Sequence, residues 1–131
     1  MSISLVRLMN EIERKDMPQV RGKDLPEMLK TFRDNGIAYR KGKVAVNYLK
    51  PTQEDGIPSK VDAIVSTIER GIPLSPIVIS RDGYILDGHH RWIAYKKVFG
   101  DDLNVQMDCI VIDRPKWDAL RMFDKVADEV A

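Results

Sequence analysis

Cysteine is almost missing from these 131 residues, with Cys109 standing alone. A single thiol excludes an intrachain disulfide and any zinc site built on several cysteines, and it fits a reducing compartment. Histidine is nearly as scarce: the two residues, His89 and His90, are neighbours. No stretch stays apolar long enough to cross a bilayer, and the opening Met-Ser-Ile-Ser-Leu-Val-Arg lacks a signal peptide's apolar run. These absences predict a soluble, cytoplasmic protein without a membrane partner. Charge of one sign is also lacking, since 21 Lys and Arg face 20 Asp and Glu for a net +1. There is no general basic field to hold nucleic acid, although a local basic patch is compatible with that balance.

What remains is an ordinary globular composition, 44% apolar and 31% charged, in a length that suits one core. Leu5, Leu8, Met9 and Ile12 share one helical face between Ser4 and Lys15. A second helix opens at Asp24 with Glu27 completing a capping box, carries Leu25, Met28, Leu29 and Phe32, and ends at Asn35-Gly36. Val44, Val46 and Tyr48 alternate as a strand, with the basic Arg40, Lys41 and Lys43 beside them as a solvated strand edge. A polar loop from Leu49 to Ser59 follows, and Ser59 caps a helix whose apolar residues are Val61, Ile64, Val65 and Ile68 and which Gly71 stops.

Pro76 to Ser80 and Tyr84 to Leu86 are the arms of a hairpin around Arg81-Asp82-Gly83. A helix from about His89 to Val98 is closed by Gly100, Val105 to Val111 alternates as another strand, and a last helix behind Pro115 carries Leu120, Phe123 and Val126. Strands interrupted by helices predict an α/β (α+β) fold, a small mixed sheet flanked by helices. Residues 1–40 are expected to form an N-terminal helical extension, and 41–131 the domain proper.

One junction concentrates the chemistry. Asp87-Gly88-His89-His90-Arg91 lies where a strand ends and a helix begins. The first N–H groups of a helix have no intrahelical partner and sit at the positive end of its dipole, so anions bind there. Gly88 lets backbone approach a phosphate, Arg91 forks onto its oxygens, and His89 and His90 donate to it or move a proton. Asp87 holds Mg²⁺, orients a histidine or accepts a hydroxyl proton. The plainer alternatives are an Asp-Gly turn, a capping Asp87 and a solvated arginine. Trp92 and Trp117 read as core residues, and Cys109 as buried and inert.

Gly88-His-His-Arg91-Trp-Ile-Ala94 has the Gly-x-x-Arg-x-x-Ala form and resembles the ParB/sulfiredoxin superfamily. Pro58 to Ile68 is similar to that superfamily's helix and Pro76 to Ile79 to its next strand, so the resemblance runs from about Val44 to about Val126. It implies a nucleotide phosphate bound at the motif, CTP in ParB proteins and ATP in sulfiredoxins. By the same resemblance Lys60, Thr67, Gly88, His90 and Arg91 contact the nucleotide, while Ala63 replaces a serine contact. His89 stands where sulfiredoxins carry their catalytic cysteine, so sulfinic-acid repair is excluded.

Asp-Gly-His-His-Arg itself is most similar to the free serine kinases of this superfamily, which use ADP or ATP. Their catalytic carboxylate implies Glu54 as the base here, with Asp55 second, although the long C-terminal part of those kinases has no counterpart in this sequence. The expectation is a nucleotide-dependent phosphotransferase or nucleotide hydrolase acting on a small molecule, with Glu54, Asp87, His89 and His90 catalytic and Asp87 holding Mg²⁺. The alternative is a ParB-like nucleotide switch or a DNA-associated, nuclease-like binding protein, against which stands the absence of a helix-turn-helix after the core. The apolar faces of the N-terminal helices permit a homodimer.

Overall fold

A computed structural model of the chain describes residues 25–53, 56–100, 102 and 104–130. The helix expected over Ser4–Lys15, the capping residue Asp24 and the candidate bases Glu54 and Asp55 lie outside the described residues. The first described element, α1 (Leu25–Asp34), buries Met28, Leu29 and Phe32, which recur at helical spacing. It stops where Gly36 takes φ +68°, and Ile37 then turns into the same core.

The strand expected over Val44–Tyr48 begins earlier. β1 is Tyr39–Ala45, and Val46–Tyr48 is a single 3₁₀ turn. β1 is an edge strand with one neighbour, so it needs no apolar alternation, and the basic run Arg40, Lys41 and Lys43 is accommodated on it. Lys43 meets Asp108 across the pair at 2.9 Å, and that hydrogen bond raises the lysine's pKa.

α2 (Pro58–Glu69) starts one residue ahead of the expected cap. Ile57 is its N-cap and Pro58 stands in its first turn, where the missing N–H costs nothing. β2 (Ile77–Ser80), β3 (Ile85–Asp87), α3 (His89–Phe99), β4 (Gln106–Ile112) and α4 (Lys116–Val130) fall close to where the sequence puts them.

The sheet order is β1-β4-β2-β3, with β4 antiparallel to β1 and parallel to β2, and β2 antiparallel to β3. It is therefore a mixed sheet. Alternation along the strands divides the core in two. Val78, Leu86, Ile110 and Ile112 face α1 and α4, which contribute Phe32, Leu120, Phe123 and Val126. Ile77, Ile79, Ile85, Met107, Cys109 and Val111 face the other way, against Trp92 and Tyr95 of α3. α2 packs on α3, so helices cover both faces.

Two consequences differ from the expectation that 1–40 is an extension. β1 runs through position 40, and α1 fills the core beside α4, because Met28 and Phe32 are fully buried. Among the described residues no helix is long and apolar enough to cross a membrane.

Candidate functional site

β2 and β3 pair with an irregularity between Val78 and Ile79, where Val78 faces Asp87 and Ile79 faces Ile85. A bulge of this kind re-aims the residues at a strand end. Asp87 ends β3 at 9% exposure, and Gly88 then turns the chain into α3 with φ +106°. A side chain at position 88 is excluded twice. The backbone is left-handed, and a Cβ would lie 2.3 Å from Cγ2 of Ile77. Gly88 is the N-cap of α3 and brings no side chain of its own to cap that helix.

Arg91, one turn into α3, lies back over this corner. Its Nη1 donates to the carbonyls of Ser75 at 2.9 Å and Pro76 at 3.3 Å, and its Nη2 pairs with Asp87 Oδ2 at 3.2 Å. Both side chains of the pair are mostly buried, at 17% and 10% exposure. The guanidinium therefore ties α3 to the chain entering β2 as well as to Asp87. A phosphate taken by Arg91 competes with these internal acceptors.

The two histidines turn their rings toward the 52–57 stretch. His89, 5% exposed, accepts the backbone N–H of Thr52 at 2.8 Å and of Gln53 at 3.1 Å on its Nε2. The Thr52 hydroxyl donates to the Ile85 carbonyl at 2.7 Å, fastening the same segment to β3. His90 accepts the N–H of Ile57 on Nε2 at 3.1 Å. Since backbone N–H groups are donors only, Nε2 is an acceptor in both rings, and each imidazole is neutral with its proton on Nδ1.

Ile57 is the N-cap of α2, its own side chain makes no capping hydrogen bond, and His90 takes its backbone N–H. The starts of α2 and α3 are thus joined through the His90–Ile57 bond, and two positive dipole ends lie side by side. Lys60 is exposed in the first turn of α2. Thr67, two turns further on, donates its hydroxyl to the Ala63 carbonyl at 3.1 Å within its own helix, away from the α2 start.

The structure brings Asp87, Gly88, His89, His90 and Arg91 together and links them to the Lys60 end of α2. What sequence reasoning missed are the backbone partners: Thr52, Gln53, Ile57, Ser75 and Pro76. One signal was present in Gly56-Ile57-Pro58. A Cβ at Gly56 would meet Ile93 Cδ1 at 2.7 Å and Val61 Cγ2 at 3.0 Å, so that glycine marks where the loop is pressed onto α2 and α3. Trp92 packs partly buried against the sheet, its Nε1–H donating to the Val46 carbonyl at 3.0 Å, and Trp117 packs against the α1–α4 core. Both fit the core assignment.

For a divalent cation the donor set is thin. Asp87 turns an oxygen to Arg91, and among the described residues no group of three or more His, Cys, Asp or Glu could hold a metal ion.

No protein-family model matches the sequence, and no curated protein matches it. The fold does find likenesses among solved structures. It is similar to a pNOB8-like ParB N-domain with a TM-score of 0.52 and 16% identity, over 72% of this chain and 36% of that one. A second structure of a pNOB8-like ParB N-domain gives a TM-score of 0.48 and 18% identity, over 72% of this chain and 34% of that one. The chain has a ParB-like fold, and it spans about a third of the length of those solved chains.

Proposed function

We propose that this protein binds a nucleotide through its phosphates at the joined starts of α2 and α3, and works as a nucleotide-dependent phosphotransferase or nucleotide hydrolase on a small molecule. The observation that carries the reading is the meeting of two helix N-termini across the His90–Ile57 bond, with Gly88 and Ile57 as N-caps that bring no polar side chain of their own. The α3 start offers N–H donors, both starts offer partial positive charge, and Lys60 adds a full charge at the same end. Gly88 leaves the α3 start without a side chain in the way.

The chemistry the reading asks for is transfer of a terminal phosphoryl group to a hydroxyl or to water, which depends mainly on positioning and on neutralising phosphate charge. Lys60 and the helix starts supply that neutralisation. Glu54, the base that the resemblance to the free serine kinases implies, would take the acceptor's proton. Mg²⁺ would arrive complexed to the nucleotide, which commonly supplies most of that ion's ligands.

The ParB-like fold itself favours a second reading, a nucleotide switch or DNA-associated protein that binds without small-molecule catalysis. One set of measurements separates them. Thermal shifts with ATP, ADP and CTP should rise with ligand concentration. Phosphorus NMR of ATP, Mg²⁺ and a panel of hydroxyl amino acids should then reveal a new phosphoester or released phosphate. A CTP-selective shift with neither product, together with salt-sensitive DNA binding, would favour the switch. No shift with any nucleotide would remove both.

A further inference from the structure

Adjacent histidines at a helix start suggest proton transfer or phosphate contact, yet Nε2 of each ring is committed to backbone. His89 Nε2 takes the N–H groups of Thr52 and Gln53, and His90 Nε2 takes that of Ile57. The contacts fall on both sides of one short loop. Three further features press that loop onto the same corner. Lys50 bridges to Tyr84 beside β3, the Thr52 hydroxyl is fixed to Ile85, and Gly56 lies too close to Ile93 and Val61 for a side chain.

Consecutive residues at a helix start diverge by about 100°. Two adjacent imidazoles therefore reach separate points, here 52–53 and 57. A shorter polar side chain would not span that distance, and a lysine or arginine would bring donors where acceptors are needed.

We propose that His89 and His90 are positioning residues. They form a two-point clasp that seats Thr52, Gln53 and Ile57 on the start of α3, and so holds the α2 start beside it. They act through backbone and do not touch the nucleotide. The consequence for affinity rests on the nucleotide reading above; the clasp itself does not.

The test uses the full chain and four variants: His89→Leu and His90→Leu, which remove the acceptor, and His89→Gln and His90→Gln, which keep an acceptor oxygen near the Nε2 position. Amide hydrogen exchange is followed residue by residue. In His90→Leu the Ile57 amide should exchange about tenfold faster, and in His89→Leu the Thr52 and Gln53 amides should do so, while β4 amides hold their rates. Each Gln variant should restore most of the protection. ATP titrations of the same proteins should weaken in the Leu variants and recover with Gln.

Unchanged Ile57 protection in a folded His90→Leu protein would overturn the clasp. Equal loss of ATP affinity in Leu and Gln variants, with the amides still protected, would overturn it in favour of direct contact. Should His89→Leu fail to fold, His90→Leu and His89→Gln still decide between these outcomes. If wild type binds no nucleotide, the function falls and the exchange rates alone judge the clasp.

Discussion

At the scale of single residues, Gly88 is tightly constrained, because left-handed backbone and contact with the buried Ile77 coincide there. Gly36 is left-handed too, but a Cβ would meet nothing around it. Gly88→Ala should therefore cost about 2–4 kcal/mol by urea denaturation, combining strain with a core clash, and Gly36→Ala about 1 kcal/mol. Equal costs at the two positions would mean that Ile77 yields to the added methyl.

Cys109 makes a second prediction at this scale. Burial pushes its thiol up from an ordinary 9.0 to about 12, so the fold retains a proton that an unfolded cysteine gives up. The sign follows from linkage: the stabilisation is complete below about pH 9 and is lost as pH climbs through the folded value. Urea midpoints of wild type should fall over that window more steeply than those of Cys109→Ala. Near neutral pH the folded protein should resist alkylation that proceeds readily once it is unfolded.

Among the elements, Arg91 links three of them: α3, the end of β3, and the chain entering β2. Arg91→Ala would remove the ion pair to the buried Asp87 and the guanidinium's two bonds to the Ser75 and Pro76 carbonyls. It should cost about 2–4 kcal/mol and speed amide exchange around β2 and β3. The variant therefore confounds stability with binding. Lys60→Ala is the cleaner probe, since Lys60 is exposed and its loss should weaken nucleotide binding about three- to tenfold with unchanged thermal stability.

Elements are also where the sequence was most and least readable. β4 and α4 were legible from period, β2 and β3 from apolar runs around the Arg81-Asp82-Gly83 turn, and α3, which buries only His89 and Ala94, from Gly88 and Gly100 at its two ends. β1 was not, because an edge strand reading Tyr-Arg-Lys-Gly-Lys-Val-Ala has no alternation to detect, while the apolar Val46 beyond it serves a 3₁₀ turn. Five of the candidate residues, Asp87 to Arg91, were adjacent in sequence and so were certain to lie together. Their partners at 52–57 and 75–76 were not, since backbone donors and acceptors carry no side-chain signature.

For the whole molecule, the sheet's two faces set the candidate site's position. α1 and α4 pack on one face, whereas α3 packs on the other with α2 outside it, and α3 starts directly after the end of β3. Parallel pairing of β2 with β4, and a chain that crosses from strand to helix at Gly88, put that corner at the end of the sheet. Ligands in α/β folds gather at such strand ends. This placement of the site depends on topology more than on any single side chain.

The most direct measurement is a backbone-amide NMR titration of the protein with ATP and, separately, CTP. The largest shift changes are predicted at 88–91 and 57–60, saturating together, and reduced in Lys60→Ala. Saturable changes centred elsewhere, with those two stretches silent, would contradict the account.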